Sequence, residues 1–508
     1  MDKRSARTDP GRVDAASPPE PPSSPGFARS FAWPLPIQAV YLLAPPFVLV
    51  VAVLLSPITP HDYFWALVQG RTIGQLGTLP RQNLFLFTLP AEAPFFNQPW
   101  LAQLIMYRAA TWLGHGANVA ILAGALCMAM VAAMDRGLRR GLGARPVAVA
   151  ALLATPFLAM AAGVRTQMFA FPCFALVAHL VFAGRAGNGR LVALFVVVAA
   201  WTNLHGSFVL APVLAALAAA GHRQLRIGRR LALVGATVLG TGVHPAGPAV
   251  WGYALSLSNA MGIAGRSAVE EWRRLPLATP LGVGYVVCVA LYLGWAIRAR
   301  ARFPWRVAVP FLCFVAAGLA SQRFVPFAAL LAPLALPGSE PAPRVTPSRR
   351  EGWIHAGFLA AFALLALACV PGLPLFEARA AGRSPRDRMF ERDLPLGLVA
   401  ELARRRTGRV FHPQAVGGLV EWMLAADGPR PVAFVDQRFE IIPASVWDEY
   451  GRARNALPGW EEVFARYGIT SVLAETQEAG GLLASLPGDG RWRCVGVEGT
   501  YSLWMRNP

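Results

Sequence analysis

The stretch IQAVYLLAPPFVLVVAVLL, residues 37 to 55, leads into Pro60-His61-Asp62-Tyr63-Phe64-Trp65 and decides the fold. A helix rises about 1.5 Å per residue, so an apolar run of this length spans the hydrocarbon of a bilayer. No small-residue cleavage motif follows it, which makes it a signal anchor rather than a removable signal peptide. The aromatic cluster after it is of the kind that settles at a membrane–water interface. The rest of the chain repeats the pattern. Of 508 residues, 55% are hydrophobic and only 15% charged, with a mean hydropathy of +0.44. Soluble domains carry about 25% charged residues, so a wholly water-soluble or disordered chain is excluded.

The net charge of +19 is spread in short clusters between apolar runs, not gathered on one polar face. That excludes a nucleic-acid partner and fits cytoplasmic loops facing a lipid bilayer. The clusters are Arg136, Arg139, Arg140 and Arg145; Arg185 and Arg190; Arg223, Arg226, Arg229 and Arg230; Arg298, Arg300, Arg302 and Arg306; and Arg344, Arg349 and Arg350. Neighbouring clusters must be joined by an even number of crossings. This predicts helices near 37–57, 116–134, 147–163, 166–184, 190–203, 207–221, 231–243, 279–297, 306–320, 323–337 and 354–372. The sum is about eleven transmembrane helices, N-terminus cytoplasmic and C-terminus outside. Residues 99–113 are apolar enough to insert, but one more crossing would misplace the 136–145 cluster, so an interfacial helix is predicted there. The short spans at 190–203 and 231–243 predict a water-accessible cavity below the outer surface.

Three regions follow. Residues 1–33, rich in Pro, Ser and Arg, read as a disordered basic tail. Residues 34–374 form the membrane domain, with an outer loop at 58–115. Residues 375–508 have ordinary polarity and predict a C-terminal extracytoplasmic α/β domain. Its strands are expected at 432–435, 471–473, 492–497 and 501–505, and its helices at 414–426, 443–455 and 459–467. Five cysteines lie in apolar runs and Cys494 stands alone, with no CxxC or Cys/His spacing, so neither a disulfide framework nor a zinc or iron–sulfur site is expected.

With this topology the polar residues outside the basic clusters sort to the outer face. Such groups are expensive near hydrocarbon without a partner or a function, so their convergence suggests a site. Asp62 follows the first span and suits a general base; the same carboxylate would equally serve as a helix N-cap. Arg165 and Arg323 sit in tight outer turns, where a guanidinium fork suits phosphate and would also suit a carboxylate partner. Arg71 joins them as a carrier-binding candidate. Substrate-binding candidates are His61, Trp65, Asn83, Gln103, Gln167, Asn203, His205, His244, Glu271 and Trp272. Glu271-Trp272 pairs an acid with an indole, as sugar binding by hydrogen bonding and stacking requires; an interfacial anchor has the same composition. No cofactor is called for. His61, His205, His244 and Asp62 are divalent-metal ligands by type, and their spacing neither demands nor forbids a metal.

Together these residues resemble the GT-C superfamily of integral membrane glycosyltransferases, specifically a poorly characterised bacterial branch with a Trp-rich first outer loop. The resemblance runs through Asp62, Phe64-Trp65-Ala66-Leu67, Gly70-Arg71, Gly77, Pro80, the segment from Asn83 to Thr88, and Pro99-Trp100-Leu101. It continues in Arg165-Thr166-Gln167, Asn203-Leu204-His205-Gly206, Glu271-Trp272, Arg323, Gly417-Gly418 and Asp436-Gln437-Arg438. Ala66, Asn83 and Pro99 depart from it, standing where the pattern has His, Asp and Glu. The resemblance implies an inner-membrane enzyme that moves a sugar from a polyprenyl-phosphate carrier to an acceptor on the periplasmic side, with inversion. It implies that Asp62 takes the acceptor's proton while Arg165 or Arg323 holds the carrier phosphate. A transporter or flippase of lipid-linked saccharides would share the spans and cavity, but would be expected to show mid-membrane polar residues, and His179 is the one obvious deep polar residue. A non-catalytic envelope scaffold is the third reading, kept open by the three departures.

Overall fold

The computed structural model describes residues 31–183, 187–222, 225–260, 270–299, 304–338, 347–370 and 389–507. Most of the expected tail, the start of the C-terminal region, and Arg185, Arg223, Arg300, Arg302 and Arg344 lie outside the described residues. In chain order the helices are α1 (Ile37–Leu54), α2 (His61–Leu76), α3 (Trp100–Leu113), α4 (Gly116–Arg139), α5 (Ala144–Ala159), α6 (Ala170–Val181) and α7 (Asn188–Leu204). There follow α8 (Leu210–Gly221), α9 (Ile227–Thr241), α10 (Ala249–Ala260), α11 (Pro280–Ala299), α12 (Trp305–Ala320), α13 (Val325–Ala335) and α14 (Arg349–Ala368). The C-terminal region adds α15 (Leu396–Arg404), α16 (Gly417–Leu424), α17 (Ala444–Arg454), α18 (Trp460–Tyr467) and α19 (Gly480–Ser485).

Each apolar run read from the sequence coincides with a helix, and 99–113 coincides with α3. Among the described residues α1, α4, α11 and α14 are long and apolar enough to cross a membrane, and shorter apolar helices accompany them. Val196, Leu239, Leu255, Leu291, Ile297 and Leu364 are each more than half exposed. In water such a surface would cost about 25 cal/mol per Å² of apolar area; in lipid it costs nothing. The protein is an α-helical polytopic membrane protein. Helix starts follow local chemistry, as in α14, where Ser348 Oγ accepts from Glu351 N (3.2 Å) and Glu351 Oε2 accepts from Ser348 N (2.7 Å). Close packing selects glycine where backbones meet. A Cβ on Gly137 of α4 would stand 2.6 Å from Pro333 O of α13.

Among the described residues four helices lie outside the expected ranges: α2, α10, α15 and α19. α2 and α10 carry too many polar and small residues to announce themselves as spans, yet α2 packs along α3, where a Cβ on Gly70 would lie 2.3 Å from Gln103 O. The C-terminal region holds a sheet of β1 (Val410–Phe411), β2 (Ser471–Glu475), β3 (Trp492–Glu498) and β4 (Tyr501–Arg506) in the order β1-β2-β4-β3. β1 and β2 are parallel; the other pairs are antiparallel. The strand expected at 432–435 is not one. It shrinks to a single bridged residue, Ala433, paired in parallel with Val410 on one side and Leu86 on the other, while Val432 N and Ala433 N both donate to Phe85 O, at 2.8 and 3.0 Å.

That loop and the C-terminal region share one core. Ile58 N donates to Met389 O (2.8 Å), Glu391 N donates to Ile58 O (3.0 Å), and Phe64 stacks on Phe390 at 5.4 Å. Arg71 of α2 donates to Trp422 O (2.8 Å) and Glu421 O (3.3 Å) with its guanidinium 4.5 Å over the Trp422 ring. Asp436 and Arg438 are a buried ion pair, Nε to Oδ2 2.7 Å.

Candidate active site

Three helix-to-helix reversals share one local form. α5 gives way to Arg165 in extended conformation (φ −152°, ψ 170°), then a 3₁₀ turn at Thr166–Phe169, then α6. α7 gives way to His205 (φ −162°, ψ 142°), then Gly206–Val209, then α8. α12 gives way to Ser321 (φ −153°, ψ 125°), then Gln322–Phe324, then α13. At the second and third reversals one extended residue and one tight turn reverse the chain directly; the first adds residues 160–164 before Arg165, and each delivers its polar side chains at the rim of the bundle. The turn at Glu270–Trp272 is pinned across the third reversal. Ser321 Oγ donates to Glu271 O (3.1 Å) and Gln322 N to Arg273 O (3.0 Å).

These turns bring Arg165, Gln167, Glu271 and Arg323 together. With Met160, Ala161, Gln322 and Pro326 they line a cavity of about 240 Å³. Asp62 lies beside it. Pro60 occupies the N-cap position of α2 and Asp62 its first turn, with Oδ2 3.8 Å from Arg165 Nη1. The same guanidinium holds Glu271 in a close ion pair, while Arg165 Nε is buried without a hydrogen-bond partner. Burial opposes the charge on Glu271, but Arg165 and Arg323 outweigh it and hold its carboxyl below the usual range. Asp62 is the more open acid, its side chain 42% exposed against 32% for Glu271.

Arg323 and His205 form the other half of the site. The Arg323 guanidinium lies 4.8 Å over the Trp272 ring, and its Nη2 is 3.5 Å from His205 Nε2. His205 Nδ1 accepts from Ser207 N (3.1 Å), which assigns the ring proton to Nε2. Burial, then the charges of Arg323 and Arg165, push the imidazole well below its ordinary pKa, so it is neutral. Two N–H donors therefore face one another across a gap that calls for a shared acceptor.

The remaining candidates are distributed elsewhere. His61 is exposed at the start of α2, and its charge acts on Glu271. Asn203 accepts from Trp100 Nε1 (2.7 Å) and donates to Val243 O (2.6 Å). His244 hydrogen-bonds with Gln98 O (3.3 Å) and stacks on Phe96. Trp65 packs edge-on to Phe95, Gln103 is buried in α3, and Arg71 clasps the C-terminal region. Asn83 organises its own loop, Nδ2 donating to Leu86 O (2.7 Å) and Oδ1 accepting from Leu86 N (3.1 Å). Ala66, Asn83 and Pro99 all lie outside the cavity lining. His179 sits 3.7 Å from Asp135, near the end of its helix rather than at mid-span. Among the described residues no three of His, Cys, Asp and Glu are grouped to hold a metal ion.

Sequence reasoning missed Gln322, one position from a residue it singled out. It also missed Glu440, whose Oε1 accepts from Tyr253 OH at 3.2 Å and whose carboxyl is raised by burial. Its partner is 187 residues distant, and no local signal marks it.

No family model and no curated protein matches the sequence. Two crystal structures of ArnT from Cupriavidus metallidurans are similar to this chain, each covering 92% of it and 97% of their own length. The form bound to undecaprenyl phosphate is 14% identical with a TM-score of 0.48, and the apo form 16% identical with a TM-score of 0.49.

Proposed function

We propose that this protein is a GT-C-type membrane glycosyltransferase that moves a sugar from a polyprenyl-phosphate carrier to an acceptor at the non-cytoplasmic face. In this reading the N-terminus is cytoplasmic and residues 389–507 belong to a periplasmic domain. The observation that carries it is the pair of converging donors, Arg323 Nη2 and His205 Nε2, beside a cavity with Asp62 at its edge. A phosphate oxygen supplies the acceptor that this pair lacks. Arg165, shared between two carboxylates, adds an unpartnered Nε. At about 240 Å³ the cavity suits a phosphate and one sugar rather than a larger ligand. An apolar groove of about 480 Å³ between α5, α11, α12 and α13 would take the carrier's tail, since α5 and α13 also lead to the cavity wall.

The chemistry needs one base and charge stabilisation on the leaving group. Asp62 takes the proton of the acceptor hydroxyl as that oxygen attacks the anomeric carbon. The anomeric carbon–oxygen bond to phosphate breaks, its electron pair leaves with the lipid phosphate, and configuration inverts. Arg323 and His205 hold the growing negative charge in place. Glu271, kept ionised by Arg165 and Arg323, orients Arg165 through their close ion pair. The test is transfer by the purified protein in detergent from polyprenyl-phosphate-linked sugars. Turnover is expected, with Arg323→Ala weakening carrier use about tenfold or more. No transfer from any such donor would favour the scaffold reading and remove this one.

A further inference from the structure

α5 runs from Arg145 to the Arg165 turn, α7 from Arg190 to the His205 turn and α12 from Arg306 to the Ser321 turn. Each has 16 or 17 residues, so the basic end lies about 24 Å from the cavity just described. At that end Arg136 and Arg140 of α4 and its cap meet Arg190 and Arg306. The charges of Arg306 and Arg136 act on Arg140, and that of Arg190 acts on both Arg136 and Arg306. Arg190 and Arg306 both donate to Ala183 O, at 3.3 and 3.1 Å, and His222 Nε2 hydrogen-bonds with the same oxygen. The nearby carboxylate, Asp135, is engaged by Arg139 at 2.6 Å.

Loops at the cytoplasmic face are basic in any membrane protein, but their arginines reach into water or headgroups. Here part of the cluster is withdrawn instead: Arg136 is 8% exposed, Arg140, Arg190 and Arg306 are half-buried, and Arg136 Nε, Arg140 Nη1, Arg306 Nε and His222 Nδ1 are buried without hydrogen-bond partners. Like charges gathered out of water repel, and unfilled donors cost free energy, so the cluster is suited to an anion. A cavity of about 860 Å³ opens beside it between α8 and α12, lined by the apolar Leu217, Ala220, Val309 and Trp305 and by the polar His222 and Arg306. Gly221 makes that junction possible, because a Cβ there would stand 2.9 Å from Arg306 Cα.

We propose that this basic end binds an anionic membrane phospholipid, its phosphate on Arg306 and His222 and its acyl chains along Leu217, Ala220 and Val309. Arg136, Arg140 and Arg190 supply the surrounding positive charge, and apolar walls beside cations match an amphiphile better than a soluble phosphate. The test is native mass spectrometry of the full chain in neutral detergent with phosphatidylglycerol, phosphatidylcholine or glycerol 3-phosphate added. Saturable retention of phosphatidylglycerol alone is expected. Arg140→Gln and Arg306→Gln should each raise the half-saturating concentration about fivefold, and the exposed Arg350→Gln should not. Arg140→Gln leaves the Ala183 contacts intact, so it decides the matter even if Arg306→Gln fails to fold. Equal retention of phosphatidylcholine, unchanged binding by Arg140→Gln, or saturation by glycerol 3-phosphate would each overturn the proposal.

Discussion

Arg71→Ala separates two uses of an arginine that look the same in sequence. As a carrier clamp, Arg71 would matter to the carrier's KM and little to stability. In the structure its guanidinium is spent on Trp422 O and Glu421 O and lies 4.5 Å over the Trp422 ring, at 7% exposure. A hydrogen bond from a charged donor contributes about 1.5–3 kcal/mol, the one at 3.3 Å less, and the ring contact about 1 kcal/mol. The loss should be about 3 kcal/mol; if the 58–115 loop and the C-terminal region that share a core unfold together, as a unit of roughly 180 residues, that is a fall of about 6–12 °C in Tm. Arg71→Lys, unable to reach both carbonyls in one plane, should fall between. Thermal unfolding followed by tryptophan fluorescence reads the first quantity, and carrier-dependent transfer rates read the second. An unchanged Tm with a raised carrier KM would refute the clasp and return Arg71 to the binding site.

Further expectations follow from single contacts. Glu271 is held below its ordinary pKa of 4.5, so its contribution to stability is present above that pH and is lost as pH falls through the lowered value. Tm measured against pH should therefore drop more steeply below about pH 4.5 in the native protein than in Glu271→Gln. Glu421 has the opposite sign: burial, with Asp436 adding to it, raises its carboxyl well above the ordinary value, so it favours folding at low pH and less as pH rises. Glu421→Gln should flatten that trend in a pH series of unfolding midpoints, and an unaltered trend would contradict a neutral Glu421. Gly70→Ala puts a methyl 2.3 Å from Gln103 O and should destabilise by about 1–3 kcal/mol in chemical unfolding. At Gly77 (φ 67°), where nothing lies within 4 Å, alanine should cost about 1 kcal/mol through its backbone alone.

The apolar helices were legible because a bilayer imposes length and apolarity on each one separately, and among the described residues four of them are long enough to cross it. Arg165, Gln167 and Arg323 stood out for a related reason: a polar residue in a tight turn between apolar helices has few places to go but the rim, whereas Glu271 stood out in a longer loop only as an acid beside an indole. What stayed hidden depends on partners far along the chain. The sequence displays the charge of Arg71 but not the carbonyl of Trp422, 351 residues later, that absorbs it. Val432 and Ala433 carry a strand's composition, yet their donors meet Phe85 O from the first outer loop. Asn83 looks like a substrate ligand until its own loop's carbonyls are placed around it. Asp62 reads as a cap or a base; Pro60 at the cap position leaves it facing Arg165.

The central claim is that Asp62 removes the proton from the acceptor, and the most direct measurement is kcat for Asp62→Asn with a polyprenyl-phosphate-linked sugar. The account predicts a fall of about 10²- to 10⁴-fold with carrier KM little changed. Turnover by Asp62→Asn at the native rate would contradict it.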